Sequence, residues 1–175
     1  MPESLWFSKV GLIANHFEQC EYYLAVIFQT LCESENDAPF AAFGLVVSSN
    51  ARLEMVSEAM AVAMPRKSNL EERVKKNLME FKDCQTLRNR SMHASAVPEL
   101  SADGVSWHGR PLWHQTTRYK NGKLKETSRF TYDDLDDAEL RISLLVIDMR
   151  ELAQDLEAFF AKRKKARLRL CSLRT

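Results

Sequence analysis

Apolar residues recur at steps of four and three from the start of the chain. Trp6, Val10, Ile13, Phe17, Cys20, Leu24, Ile27 and Leu31 fall on one stripe of a helix over about residues 5–32. SENDAP, Ser34 to Pro39, interrupts the pattern with turn residues and a proline. A second helix is predicted over about 40–64, ending at Pro65. It is apolar on most of its circumference (Phe40, Phe43, Val47, Leu53, Met55, Val62), which predicts a central position, contact with a second subunit, or both. A third helix starts near Ser68, with Glu71 three residues on completing a capping box. Its stripe, Leu70, Val74, Leu78, Phe81 and Cys84, continues into Arg88 and Met92. A last helix begins near Thr131–Asp134, with acids in its first turn where the helix dipole favours them. It carries Leu135, Ala138, Ile142, Leu145, Met149, Leu152, Leu156 and Phe159.

Between the third and last helices the period changes. Pro98 closes the third-helix region, and Ser101–Arg110 reads as loop. Asn121-Gly122 between two Thr- and aromatic-bearing runs then predicts a two-residue hairpin turn. That turn opposes Lys120 to Lys123 and Tyr119 to Leu124, and so outward to Trp113 with Phe130. One strand face then carries His114, Arg118, Lys120, Lys123, Lys125 and Arg129. Such a face is either a solvated, lysine-protected edge or a platform for a polyanion. The expected architecture is all-α. It is an up-and-down four-helix bundle over residues 1–161, with a β-hairpin insert at about 105–131 before the last helix. Residues 162–175 form a basic C-terminal tail.

Charge changes this picture in one respect. The chain is nearly neutral, but residues 162–175 hold seven Lys or Arg and no acid, leaving 18 basic against 24 acidic residues in the body, a balance of −6. A basic end on an acidic body is either a solvated terminus or a polyanion contact. Cys20, Cys32, Cys84 and Cys171 form no CxxC pair, so reduced thiols and a cytoplasmic setting are expected. No apolar run is long enough to span a bilayer and the start shows no secretion signal, so no membrane partner is expected.

Candidate chemistry concentrates in LRNRSMHAS, Leu87 to Ser95. Asn89 and His93 are four apart, nearly in line on a helix. Arg88 and His93 are about 140° apart around a regular helix, so a bend or end near Ser91 would be needed to join them. Arg88 lies on the apolar seam, where an unpaired guanidinium is costly. Glu18 and Glu21 on the first helix are its candidate anionic partners. Histidine can move a proton near neutrality, arginine can grip a phosphate bidentately, and asparagine can orient either. This set suits metal-free cleavage of RNA, and two copies across a dimer axis would supply two histidines. The bland reading is a histidine favoured by the helix dipole and an arginine stapling helices. His16 reads as structural or exposed. His108 and His114, beside Trp107 and Trp113, lack the acids or cysteines of a zinc set, and packing of the tryptophans is the favoured reading.

Arg88-Asn89, three residues, then His93, late in a helical bundle, resembles the HEPN superfamily (higher eukaryotes and prokaryotes nucleotide-binding). Its signature is Arg, four to six residues, then His, with a polar residue after the Arg. FEQCEYYL in the first helix, the apolar second helix, the motif ending the third and the closing helix follow the same layout over roughly residues 5–160. The resemblance implies an all-α bundle and a homodimer with two motifs facing each other in a cleft. It also implies metal-independent endoribonuclease activity, without cofactor or metal, as in toxin, anti-phage and RNA-processing members. By that carry-over Arg88 and His93 are catalytic, Asn89 is accessory, and Glu18 or Glu21 is the acidic helper. RNA is the implied partner, along with an antitoxin or regulatory protein. Members that have lost catalysis serve as protein- or nucleotide-binding modules, and that alternative stays open.

Overall fold

The computed structural model describes residues 3–101, 104–111, 119–120, 123–124 and 131–172, and it is predominantly helical. Helix α1 (Glu3–Leu31) follows the predicted stripe: Trp6, Ile13, Phe17, Cys20, Leu24, Ile27 and Leu31 are buried, with Val10 half-buried. It ends where Glu33 takes a positive φ of 49° and its N–H turns back to the Thr30 carbonyl at 3.0 Å. This left-handed cap is more often glycine.

The continuous helix expected over 40–64 is instead two helices, α2 (Ala38–Leu45) and α3 (Ser49–Ala63). The break has local causes. Val46 and Val47 are β-branched and leave the helix, with Val46 extended at φ −80°, ψ 112°. Ser48 then caps α3, its Oγ accepting from the Ala51 N–H at 3.4 Å. The Arg52 Nε donates to the Val46 carbonyl at 2.7 Å, satisfying a carbonyl the break exposes. Nor is this segment uniformly central: Phe43, Val56, Met60 and Met64 are buried, while Val47 is 94% and Val62 87% exposed.

Helix α4 (Asn69–Met92) starts at the predicted box, the Glu71 N–H donating to Ser68 Oγ at 3.1 Å. The Glu71 carboxylate reaches back to the Lys67 N–H, one residue before the expected cap position.

The stretch 101–110, expected as loop, is mostly strand. β1 (Ala94–Ser101) pairs antiparallel with β2 (Gly104–Pro111), from Ala94 opposite Pro111 to Ser101 opposite Gly104. Pro98 sits within β1 opposite Trp107. A two-stranded sheet consists only of edges, where proline is tolerated. β3 (Tyr119–Lys120) and β4 (Lys123–Leu124) pair Tyr119 with Leu124 and Lys120 with Lys123. The pairing expected further out, to Trp113 and Phe130, lies outside the described residues.

Helix α5 (Tyr132–Ser172) is capped by Thr131, whose Oγ1 accepts from the Asp134 N–H at 3.1 Å. It continues through much of the basic tail to Ser172. Its stripe is buried as predicted from Leu135 to Leu156, but Phe160 rather than Phe159 is buried at the next turn. The chain forms two compact units, residues 1–18 with 82–144, and residues 19–81 with 145–175. The first is built on Trp6, Ile13, Phe17, Cys84, Leu135 and Ile142. The second is built on Leu24, Ile27, Phe43, Val56, Phe81 and Leu152. Among the described residues no helix is long and apolar enough to cross a membrane.

Candidate functional site

The motif residues belong to the first unit, Arg88 and Asn89 in the last turns of α4 and His93 just after it. The i to i−4 hydrogen bonding of the helix continues past Ser91. Ser91 is buried, its Oγ donates to the Leu87 carbonyl at 2.9 Å, and the His93 N–H still reaches the Asn89 carbonyl at 3.1 Å. The helical register therefore carries through to His93, and the Arg88 and His93 side chains leave the axis about 140° apart. Asn89 lies between them, about 40° from His93.

Arg88 is half-buried. Its Nη1 donates to the Asn89 Oδ1 at 3.0 Å, and its Cζ lies 5.8 Å from the ring centroid of Phe17 on α1. Its Nε is buried with no hydrogen-bond partner among the described residues. The expected carboxylate partner is not found there. Glu21 is in the second unit and binds Arg52 at 3.1 Å, and Glu18 is exposed. Sequence reasoning missed Phe17 because its place in the core stripe explained it fully. A buried ring face also attracts a guanidinium by its quadrupole, worth about 0.5–2 kcal/mol. Among the described residues an amide and a ring contact Arg88, and neither carries a compensating charge.

His93 is exposed one residue beyond α4. Its reach to solvent suits proton exchange with a ligand. His16, read as structural or exposed, is half-buried, and its Nδ1 is buried without a partner among the described residues.

Of the six residues on the expected basic face, His114, Arg118, Lys125 and Arg129 lie outside the described residues. Lys120 and Lys123 are directly opposite each other in the β3–β4 pair. Trp113 also lies outside the described residues, while Trp107 is half-buried on β2. Among the described residues no three of His, Cys, Asp and Glu gather as a metal-ligand set.

No family model, curated protein or solved structure matches this chain.

Proposed function

We propose that this protein is a metal-independent endoribonuclease of HEPN type that acts as a homodimer. The observation that carries the reading is Arg88, a cation on an apolar seam whose contacts among the described residues are a neutral amide and a ring face. Burying a guanidinium is costly, and a structural staple would normally be paired with a carboxylate. A group kept charged and positioned suits a phosphodiester that arrives from outside.

The chemistry divides between two copies, because the helical register at the end of α4 sets Arg88 and His93 about 140° apart. His93 of one copy takes the proton of a ribose 2′-hydroxyl. The freed oxygen attacks the adjacent phosphorus, forming a 2′,3′-cyclic phosphate. The bond from phosphorus to the 5′-oxygen breaks, and the second copy's His93 delivers a proton to that leaving oxygen. Arg88 stabilises the negative charge that builds on the non-bridging oxygens, and Asn89 positions Arg88. The basic strand face around Lys120 and Lys123 would guide RNA towards this cleft. Toxin or anti-phage action, with an antitoxin or regulatory partner, would fit such an activity.

The test is cleavage of mixed-sequence RNA in excess chelator, with end-group analysis. The expected products carry 2′,3′-cyclic phosphate and 5′-hydroxyl ends, and His93→Ala abolishes them. A second reading, a catalytically inactive HEPN-like dimer that binds a protein or nucleotide, is favoured by the half-burial of Arg88. Wild-type protein that is dimeric yet inert on varied RNAs would establish that reading instead.

A further inference from the structure

The second unit contains a groove of about 880 Å³ that the proposed RNA chemistry does not use. One wall is α3, whose lining residues run from Ala51 to Ala63, a length of about 18 Å at the helical rise. The other wall is the end of α1, with Phe28 and Leu31. Helix α3 thus has two apolar stripes. Val56 and Met60 point into the core, whereas Ala51, Met55, Ala59 and Val62, at i, i+4, i+8 and i+11, line the groove. Arg163 closes one end, donating to the Ala63 carbonyl at 2.8 Å and pairing with Glu33 at 3.3 Å.

Three features indicate what fits. The lining spans about 18 Å of α3 and its edge is exposed, Val62 being 87% accessible, which suits an elongated occupant. Small residues at Ala51 and Ala59 allow a second helix to approach α3 closely. The exposed lip carries Glu54 and Glu58, one turn apart, and neither has a partner among the described residues. The lining cation, Arg163, is already engaged by Glu33, so the open lip is acidic.

We infer that this groove docks an amphipathic helix of a partner protein, with apolar residues against α3 and α1 and lysines or arginines beside Glu54 and Glu58. Recognition is of the helix-in-groove kind: i, i+3/i+4 and i+7 anchors supply affinity, and the acidic lip sets orientation and excludes anionic helices.

The test uses the full chain and two labelled peptides of about sixteen residues, about four helical turns. Both carry leucines at i, i+4, i+7 and i+11; one has flanking lysines and the other flanking glutamates. Fluorescence anisotropy should show saturable binding of the lysine peptide, at least about tenfold tighter than the glutamate peptide at moderate salt. The double variant E54K/E58K, confined to exposed positions, should invert that preference. Glu151→Lys, exposed on α5 and outside the groove, should leave it unchanged. Ala59→Trp should block both peptides while circular dichroism stays that of the native helix content. The inference is overturned if neither peptide binds, if both bind equally, or if E54K/E58K leaves the preference intact. It is also overturned if E54K/E58K dissociates a dimer that excludes the peptides, which would make a second copy the occupant. None of these outcomes depends on ribonuclease activity.

Discussion

The Nη1 of Arg88 donates to the Oδ1 of Asn89 at 3.0 Å, joining neighbouring residues on α4 side chain to side chain. Adjacent helical residues ordinarily diverge by about 100°, so this contact fixes an arginine that would otherwise sample many rotamers. In the proposed reaction Arg88 acts on the phosphate and Asn89 acts through Arg88. Their substitutions should therefore separate. Arg88→Ala should lower single-turnover cleavage by about 10²–10³, the scale for one lost charge-stabilising donor. Asn89→Ala should cost only about tenfold, as lost positioning. Asn89→Asp should cost more than Asn89→Ala, because a neighbouring carboxylate would neutralise the guanidinium. Equal losses for the two Asn89 variants would show that Asn89 does not act through Arg88.

Stability should move the other way at Arg88. Its Nε is buried without a partner among the described residues, and its guanidinium lies over Phe17. Methionine can keep contact with that ring through its sulfur and needs no buried hydrogen bond. Arg88→Met should therefore match the wild type or raise stability by up to about 1 kcal/mol while removing activity. Thermal unfolding checks this. A marked fall in Tm would reassign Arg88 to a structural staple.

The motif was legible because Arg, Asn and His at this spacing stand out against an apolar seam, but the setting of Arg88 was not. The seam implied an anion, with Glu18 and Glu21 as the candidates, yet Glu18 is exposed and Glu21 is engaged by Arg52. Phe17 could serve because one ring can fill a core and present a face to a cation. The long stripes of α1 and α5 were the most legible part of the fold. A period sustained over many turns leaves one solution, from Trp6 to Leu31 and from Leu135 to Leu156. Phe159 and Phe160 show the limit, since adjacent aromatics cannot be ranked by period alone. The break at Val46–Ser48 was hidden because apolar content there matched a helix greasy all round. Its decisive features, the Ser48 cap and the Arg52 bond to the Val46 carbonyl, are polar. The β1–β2 pair was missed because Pro98 read as a terminator, although an edge strand accommodates it.

The cap of α4 gives a test of local stability. Ser68 Oγ accepts from the Glu71 N–H, and the Glu71 carboxylate takes Lys75 and the Lys67 N–H. Ser68→Ala should cost about 1 kcal/mol. The Lys75 contact, then the Lys67 N–H, hold the Glu71 carboxyl below its ordinary range. A carboxyl depressed in the folded state contributes stability above its unfolded pKa, and that contribution is lost as pH falls through the folded value. Glu71→Gln should therefore be less stable than the wild type at neutral pH and converge with it in acid. Tm measured across the acid range reads both limbs, and a gap that stays constant would exclude the linkage.

The opposite sign applies at Lys9, whose ammonium contacts Asp136 at 2.8 Å and the Glu139 carboxylate within the first unit. Hydrogen bonds to Asp136 and then Glu139 hold its pKa above the ordinary lysine range. A cation raised in the folded state contributes stability that is fully present below its unfolded pKa and disappears as pH rises through the folded value. Lys9 is three-quarters buried at its side chain and Asp136 is about half exposed, so solvent screening limits the gain to about 1 kcal/mol. Lys9→Met should unfold at a lower temperature than the wild type at pH 7 to 9, with the gap narrowing at the most alkaline pH the protein tolerates. Added salt should also narrow the gap at neutral pH, because the pair is only partly shielded. A gap insensitive to both pH and salt would mean that Lys9 acts through its methylene packing along α1 and not through its charge.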